Sequence, residues 1–209
     1  MSCAVADTGI DAYLVVVPYY NKPVQEGLYQ HFSVIADAVD KPVMLYNVPG
    51  RTVADLLPET VGRLAKHDNI FGIKEATGDI ERLKAIQARV DDEFRFYSGD
   101  DFTLLPFIEN GGHGVVTVSG NVVPKQVSEL CRLALEGKND EAKALDARLQ
   151  GLNRLLFVES NPIPVKWAVS QMGLSGPDLR LPLTPFSAEF HDEMRAAMRL
   201  AGVALEENA

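Results

Sequence analysis

The chain has 209 residues, 46% of them hydrophobic and 23% charged, the make-up of a globular protein with enough length to bury a substantial core. Its net charge of −9 argues against a nucleic-acid partner, which needs a basic face, and no apolar run approaches the length of a membrane span. Cys3 and Cys131 offer neither a disulfide framework nor a metal spacing, and the opening "MSCAVADTG" lacks the basic head and apolar core of a signal peptide, so a reduced cytoplasmic protein is expected.

Five short runs rich in apolar, β-branched and aromatic residues read as strands. They begin at Tyr13 ("YLVVVPYY"), Pro42 ("PVMLYNVP"), Asn69 ("NIFGIKEA"), Phe94 ("FRFYSGD") and Gly114 ("GVVTVSG"). Near-continuous hydrophobicity suits strands buried on both faces, hence a parallel sheet. Helical patterns lie between them. Leu28, Phe32, Ile35, Ala36 and Val39 share one face of the first; Val61, Leu64 and Ala65 mark the second. Ile80, Leu83, Ile86 and Val90 mark the third, and "DFTLLPFIENGG" is a shorter helix stopped by Gly111 and Gly112. Strand and helix alternate in a βα rhythm with right-handed crossovers.

The rhythm changes after Val118. "PKQVSELCRLALEG" opens on Pro124, and "NDEAKALDARLQGLNRLLFV" places Leu145, Leu149, Leu152 and Leu156 on an apolar face. "NPIPVKWAVSQMG" and "SAEFHDEMRAAMRLAGVAL" read as two further helices. The expected organisation is a parallel α/β domain over 1–136 followed by a helical domain over 137–209.

Each strand ends in residues a core would not choose. Lys74 closes the apolar run of the third strand, where it either sits in an apolar slot as a nucleophilic amine or snorkels to water. Tyr19 and Tyr20 end the first strand; Tyr46, Asn47 and Arg51 the second; Ser98, Gly99, Asp100 and Asp101 the fourth; Thr117, Ser119 and Asn121 the fifth. In parallel α/β folds such ends share one rim, where sites are built. A lysine attacks carbonyl carbons, phenols relay protons and a guanidinium grips a carboxylate, so these residues make a coherent set. The alternatives are rim aromatics for Tyr19 and Tyr20, a core tyrosine for Tyr46 and an Arg51–Asp55 ion pair. His113 in "GGHG" reads as a turn residue, and Asp100 and Asp101 as helix caps before a metal site.

Six ordered stretches, "PYYN", "LYNVPGRT", "GIKEATGD", "SGDD", "GGHGVVTVSGN" and "FVESNPIPVKWA", resemble the dihydrodipicolinate synthases, with "YNVPGRT" fitting them better than the related N-acetylneuraminate lyases. The resemblance implies a TIM (β/α)8-barrel fold, here an incomplete barrel of about five βα units plus a C-terminal helical region. It implies a class I aldolase-type lyase that condenses pyruvate with aspartate semialdehyde through a Schiff base, in lysine and diaminopimelate biosynthesis, with no metal or organic cofactor. Carried over, Lys74 is the Schiff-base residue, Tyr46 the adjacent proton shuttle, and Tyr20 a phenol that reaches into a neighbouring subunit's site. Arg51 holds the carboxylate of the second substrate, Gly99 and Val116 line the pyruvate pocket, and Tyr19 matches a position near a lysine-feedback cleft.

Relatives carry, ahead of the first strand here, the remaining βα units and a threonine-containing loop that joins the proton relay. "MSCAVADTGID" resembles the tail of a preceding helix. A five-stranded piece cannot close a barrel. Leu14, Val16, Leu45, Ile73 and Val116 are the expected inward core left without partners, so a homo-oligomer is expected. A non-catalytic structural or interaction relative of the enzyme is the alternative function.

Overall fold

The computed structural model describes residues 2–205, which divide into two compact units, one running up to Val116 and the other beginning at Thr117.

The first unit is a parallel sheet clothed in helices. Its elements are β1 (Tyr13–Val16), α1 (Gln25–Ala38), β2 (Val43–Asn47), α2 (Pro49–Thr52), α3 (Pro58–Leu64), β3 (Ile70–Glu75), α4 (Ile80–Gln87), β4 (Arg95–Ser98), α5 (Leu104–Glu109) and β5 (Gly114–Val115). The strands pair in sequence order, β1-β2-β3-β4-β5, all parallel, as successive right-handed βα units require. A short 3-10 segment, Ser2–Thr8, precedes β1.

Local chemistry sets the helix boundaries. Pro58 opens α3 at a position where its missing N–H costs nothing. Asp79 caps α4, its carboxylate accepting from the backbone N–H groups of Glu81 and Arg82. The helix α2, only four residues long, had no periodicity to reveal it; it ends at Val53, a β-branched residue held at φ 61°.

The sheet's two faces differ sharply. Tyr13, Val43, Leu45, Ile70, Ile73 and Phe96 point to the helices, where they pack with Leu28 and Phe32 of α1, Val61 and Leu64 of α3, and Leu83 and Ile86 of α4. Each fully buried side chain of this size contributes about 1.5–3 kcal/mol. Leu14 and Val116 are 47% and 37% exposed, and Val16 is half-buried. The expectation of one inward core therefore needs correcting: Leu45 and Ile73 belong to the helix-packed face and are fully buried, because side chains alternate along a strand and Leu45 lies one position from Met44 and Tyr46.

The β2–β3 register carries an irregularity. Val43 pairs with Ile70, but Met44 pairs with Gly72, so Phe71 is an extra residue on β3. Beyond it the register is regular and aligns Val16, Tyr46, Lys74 and Tyr97 across four strands.

The second unit is helical: α6 (Pro124–Leu135), α7 (Asn139–Leu155), α8 (Ile163–Gln171) and α9 (His191–Leu200). Gly137, at φ 71°, takes the left-handed conformation that lets α6 turn back along α7. Val127, Leu130 and Leu133 of α6 are buried, as are Leu149 and Leu152 of α7, and Met194 and Met198 of α9. Trp167 stacks on His191 at 4.4 Å and meets Phe186 at 5.4 Å. The unit thus begins ahead of the 136/137 division expected from the sequence, because α6 packs on α7 within it.

Candidate active site

Lys74 is the next-to-last residue of β3, with Tyr46 opposite it on β2. The lysine is 9% exposed, and its Nζ lies 4.0 Å from the centroid of the Tyr46 ring. Burial pushes the Lys74 amine below the ordinary lysine range, and the positive charge of Arg51 pushes the same way, against the pull of the Asp101 carboxylate. Burial raises the Tyr46 phenol, with Arg51 opposing. Burial thus disfavours the charged form of both groups, the ammonium of Lys74 and the phenolate of Tyr46.

Gly99 is needed where it stands. A Cβ there would lie 2.5 Å from the Cβ of Ala76 and 2.9 Å from Cε of Lys74, so only glycine lets β4 approach the lysine stem this closely. Its N–H donates to the Glu75 carbonyl at 2.7 Å. The Val116 N–H donates to the Ser98 carbonyl at 2.9 Å, which continues the β4–β5 ladder past the strand end.

Arg51 stands on α2, immediately after β2, and its charge bears on both Lys74 and Tyr46. It does not pair with Asp55, whose carboxylate accepts two bonds from Arg82, at 3.0 and 2.8 Å. Asp100 accepts from the backbone N–H and the hydroxyl of Thr103, at 3.0 and 2.7 Å, ahead of α5. His113 accepts from the Phe96 N–H through Nδ1 and stacks on the Phe96 ring, a structural post at the start of β5.

Tyr19 and Tyr20 are not gathered with these residues. They follow β1 at 70% and 92% exposure, and Tyr20 is held at φ 73°, a strained value for a bulky side chain.

The burial and pairing of two strand-end residues escaped sequence reasoning. Glu75 and Asn47, the residues next to Lys74 and Tyr46, are buried at 2% and 0% exposure. The Asn47 amide Nδ2 donates to Glu75 Oε2 at 3.1 Å and to Asp55 Oδ1 at 3.0 Å, and its Oδ1 accepts from the Leu56 N–H at 3.0 Å. Glu75 Oε1 accepts from the Thr77 N–H at 2.8 Å. Burial raises the Glu75 carboxyl despite these bonds. The only signal was a second charged residue directly following the lysine.

The family model of the dihydrodipicolinate synthetase family matches residues 1–201. The chain belongs to the dihydrodipicolinate synthetase family. Members similar to it include the 4-hydroxy-tetrahydrodipicolinate synthase of Alcanivorax borkumensis, 56% identical over 93% of this chain and 66% of that protein. That of Ectopseudomonas mendocina is 54% identical over 96% of this chain and 68% of the relative. The chain therefore spans about two thirds of the length of the curated relatives it matches. Among solved structures, the chloride-inhibited dihydrodipicolinate synthase of Acinetobacter baumannii complexed with pyruvate superposes with a TM-score of 0.93 at 48% identity, over 97% of this chain and 69% of that one. The five-stranded sheet is thus part of a TIM barrel of this family, with the family's helical region after it. Among the described residues no helix is long and apolar enough to cross a membrane.

Proposed function

We propose that the chain carries the pyruvate-activating chemistry of a 4-hydroxy-tetrahydrodipicolinate synthase, a class I aldolase-type lyase of lysine biosynthesis. The observation that carries this reading is the Lys74 amine, buried, lowered in pKa and 4.0 Å from the ring of Tyr46.

The neutral amine of Lys74 attacks the keto carbon of pyruvate. A C–N bond forms, the carbonyl electron pair moves to oxygen, and that oxygen takes a proton from the Tyr46 phenol. The Tyr46 phenolate takes back a proton from the new nitrogen and passes it to the carbinolamine hydroxyl, which leaves as water, and the protonated imine that remains draws electrons from the methyl carbon. The phenolate takes a methyl proton to give the enamine, whose carbon attacks the aldehyde carbon of aspartate semialdehyde while the aldehyde oxygen takes that proton from the phenol. Arg51 holds that substrate's carboxylate through a two-point fork. Gly99 and Val116 bound the pyruvate pocket. Tyr20, exposed here, serves a neighbouring subunit's relay in a homo-oligomer.

Borohydride reduction in the presence of pyruvate tests this reading. The expected result is a reduced pyruvate adduct mapped to Lys74 by peptide mass analysis, followed by condensation with aspartate semialdehyde in a product assay. A folded chain that yields no adduct would overturn the reading and leave a structural relative of the enzyme.

A further inference from the structure

Along β2 and β3, the residues beside the reactive pair project to the opposite, helix-covered face of the sheet. Tyr46 pairs with Lys74, and Asn47 pairs with Glu75 one step on. We propose that Asn47 and Glu75 form the positioning pair of this site: their buried amide–carboxylate hydrogen bond locks the ends of the two strands and so holds Lys74 over the Tyr46 ring. The proposal rests on the Schiff-base reading of Lys74 for its functional meaning.

The lock is anchored on both sides. Asn47 uses all its polar atoms, donating to Glu75 and Asp55 and accepting from Leu56, while Asp55 is clamped by the Arg82 fork. Backbone bonds tie the same layer together, from the Ala76 N–H to the Asn47 carbonyl at 3.0 Å and from the Gly99 N–H to the Glu75 carbonyl at 2.7 Å. Glu75 is thus joined through its side chain to β2 and through its backbone to the glycine that packs on the lysine stem. The positive charge that bears on this buried carboxyl is that of Arg82, at the far end of the chain of bonds, and its neighbour in sequence is the amine.

Glu75→Gln tests the pair, because one amide oxygen cannot accept from both Thr77 and Asn47 and the amide nitrogen would face the Asn47 donor. Two readouts are taken on the folded protein. The first is the rate of borohydride-trapped adduct at saturating pyruvate, expected to fall by about tenfold in Glu75→Gln, as misplacement of a reacting group does. The second needs no pyruvate: the Lys74 amine lies over the Tyr46 ring, so the ε-methylene proton resonances of Lys74 are expected upfield of those of the other lysines. They are expected to rejoin the others in Glu75→Gln.

A Glu75→Gln protein with the wild-type resonance position overturns the proposal. Should Glu75→Gln not fold, Arg82→Gln, which frees Asp55, is read by the same two measurements, and an unchanged resonance there overturns the proposal equally. Absence of any adduct in the wild-type chain sinks the Schiff-base reading alone, since the resonance still decides whether the pair positions Lys74.

Discussion

The Nζ of Lys74 stands 4.0 Å from the centroid of the Tyr46 ring, its cross-strand neighbour. A ring face attracts an ammonium, by about 0.5–2 kcal/mol, and would by itself favour the charged lysine. Burial at 9% exposure and the positive Arg51 nearby work the other way, and the net direction is downward. The phenol can therefore guide the amine without holding its proton.

This balance gives a pH signature. Because the folded-state pKa of Lys74 is lowered, the unfolded chain binds one more proton over the window between the folded value and the ordinary value of about 10.4, and stability rises with pH across that window. Lys74→Met removes the handicap. The variant's stability advantage over wild type should be full below the folded pKa and vanish as pH approaches about 10.4, measured by denaturant titration at stepped pH. Adduct formation by the wild type should level off below that same value, and the variant should give no adduct.

Gly99→Ala should be costly in two ways. The added methyl meets Ala76 at 2.5 Å and Lys74 at 2.9 Å, so the strand ends must part. A loss of about 1–3 kcal/mol in stability is expected from overpacking, with a fall in adduct rate larger than the stability loss explains. Chemical denaturation and borohydride trapping on the same preparation check both.

The two faces of the sheet predict unequal costs for the same substitution. Leu45→Ala, on the helix-packed face at 0% exposure, should cost about 2–5 kcal/mol. Leu14→Ala, at 47% exposure, should cost within about 0.5 kcal/mol of nothing at concentrations where the chain is monomeric. Leu14→Glu should lower the mass seen by sedimentation equilibrium, if the more exposed face is where copies associate.

Val53 is 63% exposed and held at φ 61°, where a β-branched side chain is strained. Asparagine accepts that conformation, so Val53→Asn should raise stability by about 1 kcal/mol in thermal or chemical unfolding. The α2 turn that carries Arg51 should keep its shape.

The candidate residues stood out in the sequence because each is a polar exception at the end of an apolar run: Lys74 after "IFGI", Tyr46 and Arg51 around "NVPG". The alternating β and α elements were legible for the same reason, since their apolar spacing differs. The facing of individual strand residues was not. "PVMLYNVP" is apolar on both sides, so nothing in it says that Leu45 turns to the helices while Tyr46 turns away. Partner choice was equally hidden. Arg51 and Asp55 are close in sequence, yet Asp55 is held by Arg82, 27 residues along, because α4 brings that guanidinium to it. Nothing in the sequence says that Glu75, directly after Lys74, is buried against Asn47.

The extra residue Phe71 decides what the third strand can do. Ile70 and Ile73 both sink into the helix-packed side, although three positions apart they would fall on opposite sides of an unbroken strand. The inserted step reverses the parity, and with it the destination of everything downstream. Were Phe71 paired in turn with Met44, Lys74 would be driven toward the helix-packed interior while Glu75 swung out in its place. The facing of the amine thus depends on one irregular peptide three residues upstream, and deletion of Phe71, which makes the ladder regular, should leave Lys74 opposite Tyr46.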